Sequence, residues 1–159
     1  MKIRNDPAGF GYYGAPRGPH RYHKGVDICC VPGDPVLAPI AGKIVRVARP
    51  YTGRDLSGVL MRNKELALLL FYFEPTPGLV GEYVRQGQVI GLCQDVTKHY
   101  PGQGMTAHLH LQVRDMDPLL LINNRVQSPI GDDSHANTFL RSSSRTFDLR
   151  RVRIHGGQP

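Results

Sequence analysis

Short apolar runs, separated by glycine, proline and polar residues, recur along the chain as far as residue 122. Most of the runs are rich in β-branched or aromatic residues, which is typical of strands. Turn signals such as PGD, AG and RPYTG bound them. The pattern predicts strands in GVDICC, PVLAPI, GKIVRVA, LALLLFYF, YVRQGQVIGL and AHLHLQV, with the first three forming a β-meander.

No internal repeat and no helix-length amphipathic segment accompany these runs. Glycine and proline supply 18 and 13 of the 159 residues, which favours short strands joined by turns over a helical bundle. We predict one mainly β domain at residues 21–122. An irregular arm at 1–20 precedes it, and a basic, flexible C-terminal extension follows at 123–159. Within the extension FDLRRVRIH alternates apolar and basic residues, so an added edge strand and an arm for anionic polymers stay open.

The composition also bears on the cellular setting. The longest apolar run, residues 66–73, is far shorter than the roughly 20 residues of a membrane-spanning helix, so we expect no membrane span. The N-terminus MKIRNDPAG lacks the apolar region of a signal peptide, so the chain is either intracellular or supplied without its leader. The net charge of +7 favours acidic partners such as glycosaminoglycans, anionic cell-surface polymers or nucleic acid. Nucleic acid is the least favoured, because no motif that reads it is present.

Three cysteines, Cys29, Cys30 and Cys93, are too few and too irregularly spaced for a disulfide framework. No C-x-x-C pair indicates a cysteine zinc site. Buried free thiols are the simpler interpretation, since free cysteine packs as a small hydrophobe. A bridge from Cys30 stays open.

Two histidines stand one residue apart in the last predicted strand, AHLHLQV. Side chains alternate between the faces of a strand, so His108 and His110 point the same way and can share one small site. An isolated H-x-H is compatible both with a solvated strand face and with metal binding.

A second motif, HKGVD, contains His23 and Asp27. Gly25 and Val26 favour a turn that enters a strand rather than a helix, and this turn brings the imidazole back towards the carboxylate. Together with one imidazole of the distant H-x-H they would make three ligands with an open fourth position, which suits catalytic zinc. A simple surface pair of His23 and Asp27 is the alternative.

The segments RYHKGVDI, PVLAPIAGKIVRV, GQVIG and AHLHLQV occur in an order and spacing that resemble the lysostaphin-like (LytM-like) zinc metallopeptidase family, over about residues 21–115. The resemblance implies an antiparallel β-sheet LytM-like fold, of the duplicated hybrid motif or barrel-sandwich type with long loops. It implies Zn²⁺ held by His23, Asp27 and His110 at the bottom of a groove. His108 would then be the catalytic histidine beside the metal, if the protein is active.

One position departs from the family. The endopeptidases carry another histidine in the strand that precedes GEYVRQGQ, where this chain has Tyr72. A tyrosine with a pKa of about 10 stays neutral, so it replaces an imidazolium poorly. Losing one positioned donor costs on the order of 10²–10³ in kcat. We expect Tyr72 to contact a ligand in the groove, and we expect Tyr51, Tyr83 and Tyr100 to be packing or groove-wall residues.

Residues 20–118 also resemble a chemotaxin-like branch of the family, whose secreted vertebrate members share this departure. That resemblance implies an extracellular zinc-binding protein of cell signalling or innate immunity on a catalytically degenerate scaffold. Its partner would be a cell-surface receptor or an anionic glycan or peptide ligand. The alternative is an active zinc endopeptidase that cleaves glycine-rich or peptidoglycan cross-link peptides. The sequence does not indicate an oligomeric state.

Overall fold

A computed structural model describes residues 1–126 of the chain. Eleven strands occur in this range: β1 Asn5–Asp6, β2 Gly9–Phe10, β3 Gly25–Cys29, β4 Pro35–Leu37, β5 Gly42–Ala48, β6 Gly58–Arg62, β7 Ala67–Phe71, β8 Phe73–Pro75, β9 Tyr83–Val84, β10 Val89–Cys93 and β11 His108–Val113. The helical elements are a 3₁₀ helix at Val96–His99 and the α-helix α1 at Leu119–Val126.

The strands belong to three antiparallel sheets. The largest has the order β3-β11-β7-β6-β5-β9, the second has the order β4-β10-β8, and β1 pairs with β2. Every one of these pairings is antiparallel. The mainly antiparallel β fold expected from the sequence is therefore confirmed.

The predicted meander of the first three long strands is wrong. Strand β3 pairs with β11, and β4 pairs with β10, whereas consecutive strands lie side by side in β5-β6-β7. Strand β6 was not among the predicted strands. Four of its five residues are buried, so its sequence GVLMR lacks the polar–apolar alternation that identifies a half-buried strand.

A single hydrophobic core joins the two larger sheets. Its buried side chains include Val26 of β3, Val36 of β4, Phe73 of β8 and Ile90 of β10. Each such residue stabilises the fold by about 1.5–3 kcal/mol relative to an exposed position. The core fixes the relative positions of β3, β11 and β7, which carry the candidate site.

The predicted strand LALLLFYF divides at Tyr72. Strand β7 before it belongs to the six-stranded sheet, and β8 after it belongs to the three-stranded sheet. Tyr72 has a φ of 70°, which is uncommon for a bulky side chain, and its N–H donates to the Ser57 carbonyl at 2.8 Å. This backbone turn takes the Tyr72 ring out of the strand alternation.

The segment predicted as an irregular arm packs along β3. The Arg4 N–H donates to the Asp27 carbonyl at 2.9 Å, and the Cys29 N–H donates to the Lys2 carbonyl at 2.9 Å. Because these bonds use the free edge of β3, residues 2–4 extend the six-stranded sheet beyond its named strands.

Helix α1 spans the predicted domain boundary at residue 122, although the sequence showed no clear helical segment. The predicted basic extension at 123–159 lies outside the described residues, apart from the backbone of 123–126. Within residues 1–126 no helix combines the length and the apolar character needed to cross a bilayer.

Candidate metal centre

The predicted site residues meet where β11 lies between β3 and β7. In the strand register His110 stands opposite Asp27 of β3 and Phe71 of β7. His108 stands opposite Cys29. Directly opposed residues project to the same face of a sheet, so the pairing of β3 with β11 brings the H-x-H and HKGVD motifs together.

Three potential ligand atoms form a small triangle. The His110 Nδ1 to Asp27 Oδ1 distance is 2.9 Å, His23 Nε2 to His110 Nδ1 is 3.0 Å, and His23 Nε2 to Asp27 Oδ1 is 3.2 Å. Ligands about 2.0 Å from a tetrahedral zinc ion are about 3.3 Å apart. In the part of the chain that the structure describes, this is the one group of three or more His, Cys, Asp or Glu side chains with metal-ligand spacing.

The ring contacts indicate which nitrogens face the triangle with a lone pair. His23 Nδ1 lies 2.9 Å from the Tyr12 carbonyl, which can only accept, so we assign the proton to Nδ1 and leave Nε2 bare. His110 Nε2 similarly faces Gln112 Oε1 at 3.4 Å. Two bare nitrogens and a carboxylate oxygen would repel one another, so a metal ion or protons must lie between them. A ring nitrogen held by a carbonyl is also the usual arrangement for metal-binding histidine.

The two carboxylate oxygens of Asp27 contact different partners: Oδ2 faces arginines, and Oδ1 faces the imidazoles of His23 and His110. Arg4 donates to Oδ2 from Nε at 3.2 Å and from NH2 at 3.1 Å, and Arg17 approaches the same oxygen at 3.5 Å. Burial by itself raises the pKa of Asp27, but when protons rather than a metal ion lie in the triangle, hydrogen bonds from His110 and His23 outweigh burial and hold that pKa well below its ordinary value. Asp27 is therefore ionised at neutral pH, as a metal ligand must be.

His108 lies beside the triangle rather than in it. Its Nδ1 donates to the Thr106 carbonyl at 2.7 Å, and its Nε2 is 3.8 Å from Asp27 Oδ1, too far for a hydrogen bond. Burial lowers the pKa of His108, so the ring is neutral at pH 7. A neutral imidazole that presents a bare nitrogen next to a metal position can accept a proton.

Gly25, inside HKGVD, permits the close approach of β3 to β11. A Cβ atom there would collide with the Leu111 carbonyl oxygen and would lie 2.7 Å from the His110 ring. A larger residue at this position would therefore displace the candidate ligand His110. Close packing against the ring explains the glycine between the two ligand residues.

Tyrosines form the other side of the site, and we call Tyr51, Tyr72 and Tyr100 the tyrosine wall. The Tyr72 ring meets His108 edge-on at a centroid distance of 5.1 Å, and its hydroxyl lies 3.0 Å from the Tyr51 hydroxyl. Burial raises the pKa of Tyr72 far above its ordinary value, so the phenol is neutral. The Arg54 guanidinium lies over the rings of Tyr51 and Tyr100 at 5.0 and 4.9 Å.

Tyr83 does not belong to this wall. It lies on β9, at the far edge of the six-stranded sheet, and 67% of it is exposed. The expectation that it packs or lines the groove is wrong. Tyr83 stands opposite Lys43 on β5, so the two side chains share one face of the sheet.

Sequence reasoning missed the residues that support the ligands. Arg4 and Tyr12 lie in the segment that was predicted to be irregular, and Arg4 is only 4% exposed. An arginine in a stretch rich in glycine and proline carries no periodic signal. A buried carboxylate at Asp27 does imply a cationic partner, but it does not say which of the 20 lysines and arginines supplies it.

A comparison with family models decides the family. The model for peptidase family M23 matches residues 21–126, which is more than half of the chain. The chain belongs to peptidase family M23. The resemblance to lysostaphin-like metallopeptidases inferred from the sequence is confirmed. The matched range contains both histidine motifs and all three atoms of the candidate metal triangle.

Curated M23 relatives include leukocyte cell-derived chemotaxin-2 from mouse (Mus musculus), 31% identical over 109 residues, or 67% of this chain and 69% of the mouse protein. The bovine (Bos taurus) protein of the same name is 30% identical over 120 residues, with 74% and 76% coverage. Myeloid protein 1 from chicken (Gallus gallus) is 30% identical over 67% of this chain but only 33% of the chicken protein. The chemotaxin-like resemblance is thus confirmed.

Among solved M23 structures, the catalytic domain of the antimicrobial peptidase lysostaphin from Staphylococcus simulans is similar with a TM-score of 0.54 and 29% identity. The alignment covers 72% of this chain and 90% of the lysostaphin domain. The antiparallel sheets described above are therefore those of an M23 domain.

Proposed function

We propose that this M23 domain binds one zinc ion through His23, Asp27 and His110. Support comes from the converging ligand atoms, which are 2.9–3.2 Å apart, and from the ionised state of Asp27. Bound zinc would supply Lewis acidity at the floor of the site. The donor set of two imidazoles and one carboxylate suits this ion and leaves a fourth position open.

The zinc site belongs to a scaffold that we propose is catalytically degenerate. The observation that carries this proposal is the placement of Tyr72, whose ring lies 5.1 Å from that of His108. A phenol carries no positive charge, and the Tyr72 hydroxyl is engaged by Tyr51 at 3.0 Å, so Tyr72 replaces an imidazolium poorly at a developing oxyanion. The three candidate zinc ligands and a proton acceptor, His108, are present, but the expected second imidazole is absent from the position of Tyr72.

We propose that the protein is secreted and acts in signalling or innate defence. Support comes from the 31% and 30% identity to mouse and bovine proteins named leukocyte cell-derived chemotaxin-2. The partner would be a cell-surface receptor or an anionic glycan or peptide, since the net charge of +7 favours acidic ligands. Expression of the natural transcript in cultured cells tests secretion. We expect the protein in the medium, and retention of all of it inside the cells would contradict the proposal.

One observation favours an active endopeptidase as the alternative. His108 is held by the Thr106 carbonyl with a bare Nε2 towards the ligand triangle, which is the orientation a general base needs. In that case the substrates would be glycine-rich or peptidoglycan cross-link peptides, which lysostaphin-like peptidases cleave.

Cleavage assays separate the two functions. Zinc-loaded protein, chelator-treated protein and the lysostaphin catalytic domain are incubated with pentaglycine and with cross-linked peptidoglycan. We expect cleavage by lysostaphin alone. Hydrolysis by the zinc-loaded protein that the chelator abolishes would overturn the degenerate-scaffold proposal.

Two tyrosine variants refine this assay. Tyr72→His introduces an imidazole beside His108, whereas the matched Tyr51→His introduces one further along the tyrosine wall. We expect weak, chelator-sensitive cleavage from Tyr72→His and none from Tyr51→His.

A further inference from the structure

A row of exposed side chains crosses the edge of the six-stranded sheet that is remote from β3. Lys43 on β5 stands directly opposite Arg62 of β6 on one side and opposite Tyr83 of β9 on the other. Opposed residues share a face, and neighbouring strands are about 4.8 Å apart, so the three side chains form a row about 10 Å long. Lys64, two residues after Arg62, lines the same part of the surface.

The charges in this row are not balanced within the protein. Like charges directly opposite each other destabilise a sheet, yet Lys43 faces Arg62. In residues 1–126 no ion pair joins Lys43, Arg62 or Lys64 to an acidic group. An external anion would relieve this repulsion.

The row lines a shallow, open depression of about 470 Å³, formed by Lys43, Arg62, Asn63, Lys64, Glu65 and Tyr83. Three cations and a single carboxylate, Glu65, face the same space. Tyr83 is 67% exposed and adds a flat apolar ring with a polar tip.

We propose that this depression, the basic edge site, binds a sulfated glycan. Lysine and arginine donate charge-assisted hydrogen bonds to sulfate and carboxylate oxygens, and the Tyr83 ring can cover the apolar face of a sugar. Single-stranded nucleic acid fits less well, because it needs successive aromatic platforms and this site offers one. The inference rests on the proposed secreted function, since sulfated glycans are extracellular ligands, and it names the anionic partner of that function.

Heparin binding tests the proposal against a control of equal charge. The site variant carries Lys43→Gln, Arg62→Gln and Lys64→Gln. The control variant carries Lys2→Gln, Arg49→Gln and Lys98→Gln, which are also exposed and remove the same charge from elsewhere. We expect the site variant to bind heparin about tenfold more weakly and the control to bind nearly as the wild type does. Equal loss in both variants would show that diffuse charge or residues outside 1–126 bind heparin, and would overturn the proposal.

Further measurements identify the ligand class. Glu65→Gln removes the one carboxylate, so we expect tighter heparin binding, and unchanged affinity would contradict the site.

A single-stranded polynucleotide should lose affinity equally in the site and control variants, and a loss confined to the site variant would assign the depression to nucleic acid instead. Zinc content should stay the same in all variants, so failure here is distinguishable from failure of the zinc proposal.

A different observation concerns two cysteines remote from this edge. The backbone of the turn after β3 bonds to Cys93 on β10: the Gly33 N–H donates to the Cys93 carbonyl, and the Cys93 N–H donates to the Asp34 carbonyl, both at 2.9 Å. Cys93 is buried in the hydrophobic core and Cys30 is partly buried against the same core, where each thiol shifts the pKa of the other. Cys29 is the last residue of β3 and stands opposite His108, on the face of the sheet that carries the candidate metal centre.

We infer that Cys30 and Cys93 form a disulfide in an oxidising compartment. Two thiols lose two protons and two electrons to form the S–S bond, and one oxidised glutathione is reduced to two glutathione molecules. Burial raises the pKa of the Cys30 thiol well above its ordinary value, so reaction is slow in the folded chain and we expect the bond to form during folding.

Refolding in a glutathione redox buffer, followed by thiol titration in denaturant and non-reducing peptide mapping, tests this inference. Of the three thiols, we expect one to remain titratable in wild type, none in Cys29→Ser and two in Cys93→Ser. The mapped link should join Cys30 to Cys93. Three titratable thiols in folded, zinc-containing wild type, or a link through Cys29, would overturn it.

Discussion

The ligand triangle and the tyrosine wall are adjacent, yet they are built from opposite kinds of side chain. The triangle contains an ionised carboxylate, Asp27, that two arginines and two imidazoles surround. In the wall, Tyr72 is a neutral phenol, and its hydroxyl bonds to that of Tyr51 at 3.0 Å. Peptide hydrolysis at such a site uses charge on both sides, to bind the metal and to stabilise the transition state. This difference is the observation on which the proposal of zinc binding on a catalytically degenerate scaffold rests.

Removing a ligand should have the largest effect. We expect His110→Ala to lose most of about one equivalent of zinc and to abolish the rise in Tm that zinc gives wild type, because metal bound only by the folded state stabilises it. Metal analysis and thermal unfolding with and without chelator measure both. His20→Asn, in an exposed turn with a φ of 60°, is the matched histidine control. Full zinc occupancy in His110→Ala would remove His110 from the ligand set.

Removing Arg4, which contacts Asp27, should have nearly as large an effect on stability and zinc affinity. Arg4→Met removes one partner of a buried ion pair in which both side chains are 4% exposed. Such a loss typically lowers the free energy of unfolding by about 3–5 kcal/mol. Loss of a residue that orients a ligand weakens metal affinity by about 10–100-fold. Urea unfolding and a competitive zinc chelator measure the two effects.

Arg21→Met, an exposed arginine in the same part of the chain, is the control for that substitution. We expect it to change both quantities little. If Arg4→Met behaves like Arg21→Met, the Arg4 contacts of Asp27 contribute nothing to the metal centre.

The neutral state of His108 predicts a pH effect in the zinc-free protein. Burial lowers the pKa of His108 below its ordinary value of 6.5, so the unfolded chain takes up this proton first as the pH falls. The His108 contribution to stability is complete above about pH 6.5 and is lost as the pH falls from there to the folded-state pKa. His108→Gln should therefore show a shallower fall in unfolding free energy between about pH 7 and pH 5. Parallel curves for the two proteins would contradict the neutral buried state.

The contribution of Asp27 to folding stability is also lost as the pH falls, but at lower pH than that of His108. Its pKa in the folded protein lies below the ordinary value of 3.8, so its contribution is complete above that value and is lost as the pH falls towards the folded-state pKa. The two contributions are thus separated along the pH axis. His108→Gln removes the one nearer neutrality.

The tyrosine wall should tolerate change best. Tyr51→Phe removes the hydrogen bond to Tyr72, and because Tyr51 is 38% exposed, water can replace the lost partner. We expect the free energy of unfolding to fall by about 0.5–1 kcal/mol, with zinc content unchanged. A large loss of zinc in this variant would show that the wall and the triangle are coupled.

Local periodicity in the sequence was enough to predict several strands and part of the candidate site. The alternation of AHLHLQV put His108 and His110 on one face, and HKGVD was expected to turn into a strand, as β3 does. Both follow from backbone geometry over a few residues, which does not depend on the rest of the fold. The order of the motifs was enough to predict the family and the mainly β fold class.

Only the tertiary structure decided which strands pair and which distant residues complete the site. The pairing of β3 with β11 joins Asp27 to a histidine 83 residues away, and Arg4 reaches the same carboxylate from a segment without any pattern. The positive φ that directs Tyr72 towards His108 depends on bonds to Ser57 in the loop before β6. Apolar runs specify that strands form, whereas the partner of each strand is set by the packing of the whole core and by the total of satisfied backbone hydrogen bonds.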